Sequence, residues 1–277
     1  MSLTDTASDP SALQAGSAAE LLSWSLEGPK QAPLVVVLHG WGSSASVMRG
    51  FAARLSDRFR VLTLDLPGHG NAPIPKQAAG MEAHAQAVSD LVEALGGAAH
   101  FIGHSNGGRI SLYMASRAPW SRQVRSLTLV SPSGVRRPRG PKYYARKWTA
   151  TALKAPFQVL PPRLKEAGLD WLRHSLVWRL LGSSDYRSLE GPMRETFVQL
   201  VNTYVEDDLG RIDAPTLLFW GDKDEAIVRP QIDRLIESIP DCGLVVLPEA
   251  GHYGFLDDPD TVYTASGHFL DQLEAAS

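Results

Sequence analysis

A single cysteine, Cys242, is all the thiol in this chain of 277 residues. That excludes an intramolecular disulfide framework and a cysteine-rich metal site, and Cys242 reads as a small residue beside a strand. None of the eight histidines falls into a His-Glu-x-x-His or comparable spacing, so a zinc hydrolase is not expected. No apolar run reaches the roughly 18 to 20 residues that span a bilayer. A basic excess is missing too: the formal net charge is -3, which implies no overall attraction to nucleic acid. Residues 1–19 are rich in Ser, Ala, Thr and Asp without the basic-then-apolar succession of a secretory signal, and read as a flexible tail. After Gly107-Gly108 come Arg109 and Ile110 in place of the lysine and hydroxyl of a P-loop, and Gly68-His69-Gly70 does not continue as a dinucleotide fingerprint. The absences together point to a cytoplasmic protein with no cofactor, no metal, no nucleic-acid partner and no stable membrane insertion. They leave the oligomeric state open.

What is present is alternation. Leu34 to Leu38 is a continuous apolar run of the kind buried on both faces of a parallel sheet, Arg60 to Leu64 reads as the next buried strand, and Ala98 to Ile102, Val124 to Val130, Thr216 to Trp220 and Leu244 to Leu247 read as further strands. Glu20 to Leu26 alternates weakly and reads as an antiparallel edge strand. Between the runs, apolar residues recur at helical spacing: Met48, Phe51, Ala52 and Leu55; Ala87, Val88, Leu91, Val92 and Leu95; Ile232, Leu235, Ile236 and Ile239. A closing helix starts near Asp258-Pro259. Strand and helix in turn predict an α/β fold with a mostly parallel, doubly wound sheet. The pattern breaks from about Val135 to Gly210, where aromatics, prolines and basic residues replace strands. That segment is too long for a plain loop and reads as a helical cap. The expected organisation is therefore a core of residues 20–134 and 211–277 with a cap at 135–210.

One stretch stands at the centre of this pattern. Phe101-Ile102-Gly103-His104-Ser105-Asn106-Gly107-Gly108 is a Gly-x-Ser-x-Gly sequence with a strand entering and a helix leaving. A strand that reverses into a helix within one or two residues strains the serine backbone and leaves no room for side chains at Gly103 and Gly107. Ser105 is thereby a candidate nucleophile, and the amide of Asn106, at the helix start, points toward a developing anion.

On these residues, together with His39-Gly40-Trp41-Gly42, Gly221-Asp222-Lys223-Asp224 and Gly251-His252, the chain resembles the α/β-hydrolases from about Leu34 to its C-terminus. In that family the order is serine, then acid, then histidine, each on a loop at a strand's C-terminal end. His252 directly follows the last strand and is the expected base. Asp222 and Asp224 compete for the acid; the resemblance, with the acid second in a Gly-x-x-Asp turn, selects Asp224, leaving Asp222 to bond its own turn. By resemblance to His-Gly-x-Gly loops, the second oxyanion donor is the amide of Trp41. His39 and His69 are expected to brace their turns and His104 to pack beside the nucleophile. His84, His100, His174 and His268 read as surface or partly buried residues.

The resemblance implies a cofactor-independent serine hydrolase with a Ser105-His252-Asp224 triad, acting on a small ester-like substrate through an acyl-enzyme. Carbon-carbon, thioester or amide hydrolysis, cofactor-free peroxidation, and a receptor that binds without turnover are the alternatives on the same scaffold. Twelve Lys and Arg between 136 and 187 face only Glu166, Asp170 and Asp185. A solvated basic surface is expected there, with attraction of anionic substrates or of a membrane surface as the rival.

Overall fold

The computed structural model describes residues 16–138 and 189–276, with a few isolated positions between them. Most of the expected cap, its basic cluster apart from Arg136 and Arg137, and His174 lie outside the described residues. So do residues 1–15 of the expected tail. That tail ends earlier than Ala19: Ser17–Leu21 form a 3-10 turn with Ala19 buried in the core. Glu20 to Leu22 consequently do not belong to the edge strand, which is β1, Ser23–Glu27.

Six more strands follow: β2 (Leu34–Leu38), β3 (Arg60–Asp65), β4 (Ala99–His104), β5 (Val124–Val130), β6 (Thr216–Gly221) and β7 (Cys242–Leu247). They form one sheet in the order β1-β3-β2-β4-β5-β6-β7, antiparallel only at β1 against β3. The helices among the described residues are α1 (Ala45–Leu55), α2 (Met81–Leu95), α3 (Asn106–Ala115), α4 (Gly191–Asn202), α5 (Arg229–Ser238), the short α6 (Gly254–Asp257) and α7 (Pro259–Ala275).

Strand periodicity sorts the core into two layers. In β2, Leu34, Val36 and Leu38 face the layer that holds Val88 and Leu91 of α2, Ile110 of α3 and Ile232 of α5. Val35 and Val37 face the other, with Met48 and Phe51 of α1 and Val262 and Leu270 of α7. Burying one such side chain contributes about 1.5–3 kcal/mol, so a one-residue slip of β2 would expel a whole row from each layer.

The strand order fixes where a ligand can sit. β3 lies on one side of β2 and β4 on the other, so the chain leaves in opposite directions from adjacent strands. The crevice beyond the carboxyl ends at such a reversal is the natural binding place in an open α/β sheet. The loop after β2 carries Trp41, and the loop after β4 carries Ser105.

Candidate active site

The turn from β4 into α3 is as tight as its sequence requires. Ser105 has φ 50° and ψ -107°, in the left-handed half of backbone space that side chains rarely adopt. Strain of this kind costs about 1–3 kcal/mol and persists only where surroundings impose it. Here they do. The Ser105 amide donates to Val130 O at 3.1 Å, and its carbonyl accepts from Ser133 N at 3.0 Å, Ser133 Oγ at 3.1 Å and Arg109 N at 3.1 Å. A Cβ on Gly103 would sit 2.6 Å from Gly108 N, and one on Gly107 would sit 2.3 Å from Leu38 O. Both glycines are therefore needed for the helix to approach the sheet.

Two amides are left over beside this turn. Among the described residues, neither the Trp41 nor the Asn106 N–H donates to a backbone carbonyl. Asn106 is the first residue of α3, where a helix N–H has no partner within the helix. The Trp41 loop is held from below by His39, whose Nδ1–H donates to Gly40 O at 2.7 Å while Nε2 accepts the Leu66 amide at 3.0 Å. Burial pushes the His39 pKa down to about 4, against the pull of that Gly40 bond, so the ring stays neutral and keeps one donor and one acceptor. Trp41 packs edge-on to His69 with centroids 4.6 Å apart, and 5.1 Å from Phe197 on α4.

The structure brings Asp224 and His252 together. His252 Nδ1 lies 2.9 Å from Asp224 Oδ2. A carboxylate accepts only, so Nδ1 carries the proton and Nε2 is left as an acceptor. The Asp224 side chain is fully buried, while that of His252 is 22% exposed. Asp224 Oδ1 accepts the amides of Ala226 at 2.8 Å and Ile227 at 3.0 Å. Burial raises the Asp224 pKa, but the bonds from His252 and Ile227 outweigh it and hold the carboxyl below its ordinary range.

Three residues differ from their sequence-based roles. Asp222 does not bond its own turn: its Oδ1 accepts the Glu249 amide at 2.8 Å, tying the loop after β6 to the loop after β7. His84 and His100, expected at the surface or partly buried, are fully buried, 0% and 1% exposed. His84 sits on the core side of α2, and β4 is covered on both faces, so His100 has its ring bonded to Ser126 Oγ and Glu274 Oε1. Asp65 was not singled out from sequence at all. Its carboxylate accepts the Ala45 amide at 2.7 Å and the Asn71 amide at 2.9 Å, joining the start of α1 to the loop after β3. An aspartate ending a buried strand was the available signal.

Residues 33–259 match the family described as the alpha/beta hydrolase fold. The chain belongs to that family. Its relatives include the pimeloyl-[acyl-carrier protein] methyl ester esterase of Chromobacterium violaceum, 32% identical over 87% of this chain and 96% of that one. Another, the dihydrolipoyllysine-residue acetyltransferase component of an acetoin cleaving system from Pseudomonas putida, is 32% identical over 90% of this chain and 66% of its own length. Among solved structures, a bacterial membrane phospholipase A is similar with a TM-score of 0.69 and 25% identity, covering 91% of this chain and 83% of that one. These α/β-hydrolase relatives carry names for ester cleavage and for acyl transfer. Among the described residues no helix of this chain is long and apolar enough to cross a membrane, and no group of three or more His, Cys, Asp or Glu is arranged to hold a metal.

Proposed function

We propose that this α/β-hydrolase is a cofactor-independent serine hydrolase of carboxylic esters, with Ser105 as nucleophile, His252 as general base and Asp224 as the acid that orients it. The observation that carries the reading is the 2.9 Å contact of Asp224 Oδ2 with His252 Nδ1 at the same end of the sheet as the strained Ser105. A serine hydroxyl is a poor nucleophile until a neighbouring base takes its proton. His252 Nε2 would take that proton as Ser105 Oγ bonds the ester carbonyl, and the new oxyanion would sit on the Trp41 and Asn106 amides. His252 then gives the proton to the leaving alkoxide, and water repeats the sequence to release the acid. Removing one oxyanion donor in such a site costs about 3 kcal/mol of transition-state stabilisation.

The segment 135–210 is the cap in this reading. Its described end supports that role: on α4, Met193, Thr196 and Leu200 are buried, Thr196 Oγ1 accepts the Ala79 amide, and Phe197 meets Trp41. The methyl ester esterase named among the relatives favours an ester over the other bonds this chemistry can cleave. A single cysteine fits work in the cytoplasm.

The test is a fluorophosphonate probe with p-nitrophenyl ester turnover as a second readout. Native protein is expected to label and to hydrolyse the esters, and Ser105→Ala to do neither. Full labelling of Ser105→Ala overturns the assignment.

A further inference from the structure

His104 precedes Ser105 and ends β4, and its ring is 1% exposed. The ring centroid lies 4.8 Å from that of His252, 4.8 Å from Tyr253 and 5.1 Å from Phe255. His104 Nε2 lies 3.0 Å from the carbonyl oxygen of His252. A carbonyl only accepts, so Nε2 carries the hydrogen and donates it. The ring also lies close to the Trp41 loop, since a Cβ on Gly40 would fall 2.9 Å from His104 Nδ1 and 3.2 Å from Ser105 Cβ. One buried imidazole thus touches the loop after β2, the elbow after β4 and the loop after β7.

The strand order explains why such a tie is required. β4 and β7 are separated by β5 and β6, so neighbours about 4.8 Å apart put their ends roughly 14 Å from one another. His252 must reach back over that gap. The loop after β7 is bound to the loop after β6, its neighbour toward β4, by Lys223 N to Ala250 O at 2.9 Å, and Asp222 N donates to Leu247 O at the end of β7 at 3.1 Å. Across the remaining gap to β4, the His104 to His252 bond is the one hydrogen bond, among the described residues, that joins the elbow to this loop.

We propose that His104 is a positioning residue: by donating from Nε2 to the His252 carbonyl, it holds the base main chain over the elbow, with Nδ1 on Asp224 and Nε2 turned toward Ser105. This rests on the catalytic reading of Ser105, Asp224 and His252 given above. Burial suits the role, because it drives the His104 pKa down to about 3, with the neighbouring His252 acting in the same direction. The ring therefore stays neutral beside the imidazolium that His252 becomes during turnover.

The test compares His104→Gln with His104→Met. Both side chains are unbranched and of similar length, but only glutamine can donate to the carbonyl. Misplacing a catalytic group by an ångström can cost about 100-fold, so the Met variant is expected to lose on the order of 10- to 100-fold in kcat with KM nearly unchanged. The Gln variant is expected to recover most of that loss while melting at the same temperature as the Met variant. Where His104→Met does not fold, His104→Phe, which keeps a ring without the donor, replaces it. Equal kcat in the donor and non-donor variants overturns the proposal. Ser105→Ala is run in parallel: turnover that survives there removes the catalytic reading itself, whereas loss there with equal kcat for the two His104 variants removes only the role of His104.

Discussion

The indole of Trp41 and the ring of Phe197 lie 5.1 Å apart, so the loop that follows β2 is packed directly against α4. The backbone of that loop supplies one of the two proposed oxyanion donors. The packing of α4 and the electrostatics of the site are therefore joined through one aromatic pair.

Phe197→Ala should move substrate preference more than it moves stability. An aromatic pair is worth about 0.5–1.5 kcal/mol beyond its burial, and Phe197 is only half-buried. A small drop in Tm is expected. A series of p-nitrophenyl esters of rising acyl length should show kcat/KM rising for the longer acyl groups relative to acetate. An unchanged ranking across the series would mean that α4 does not wall the acyl site.

Asp224→Asn and Asp222→Asn should separate sharply. The first removes the carboxylate on His252 Nδ1 and the correct tautomer with it, and a loss of about 10³- to 10⁴-fold in kcat is expected. The second weakens only the tie to the Glu249 amide, and its kcat should fall by less than about tenfold, with loss of one hydrogen bond worth about 1 kcal/mol in stability. Steady-state kinetics with thermal melts of both variants decide the matter. A larger loss of turnover in Asp222→Asn would reverse the assignment of the acid.

Acid should unfold this protein through its histidines. Burial holds His39 and His84 at about 4, below the ordinary value of 6.5, and both rings are neutral in the folded state. As pH falls below 6.5 the unfolded chain binds protons first, so their contribution is complete above 6.5 and is lost progressively as pH drops through 4. Each shift corresponds to about 3 kcal/mol once that window has been crossed. The lowered Asp224 pKa has the same sign but adds its loss only below the ordinary value of 3.8, beneath this window. Urea melts at pH 7, 5.5 and 4 should show a steady fall in unfolding free energy, and replacing His84 with Gln should flatten the slope. A stability constant from pH 7 to pH 4 would contradict this.

The parallel sheet, its helices and the tight turn at Ser105 were all legible in the chain, because they follow from local rules. Doubly buried strands read as apolar runs, amphipathic helices repeat with a fixed period, and Gly103 and Gly107 stand where a Cβ would strike backbone. That Ser105, an aspartate at 222 or 224 and His252 would share one edge was legible for a different reason: each follows a strand, and parallel strands bring all their ends together, while the choice of Asp224 came from the resemblance to the α/β-hydrolases. Tertiary structure alone decided how those ends are tied. Asp222 bonds a residue 27 positions away, Asp65 reaches back 20 positions to the Ala45 amide, and His104 donates across 148 positions to His252. His84 and His100 read as surface or partly buried residues because a lone polar residue in a short window carries no sign of which face it occupies. Once β4 and α2 were placed, packing on every side made both rings buried. Periodicity specifies the face of an element, whereas a hydrogen bond between distant loops depends on how many strands lie between them, and that number exists only in the folded sheet.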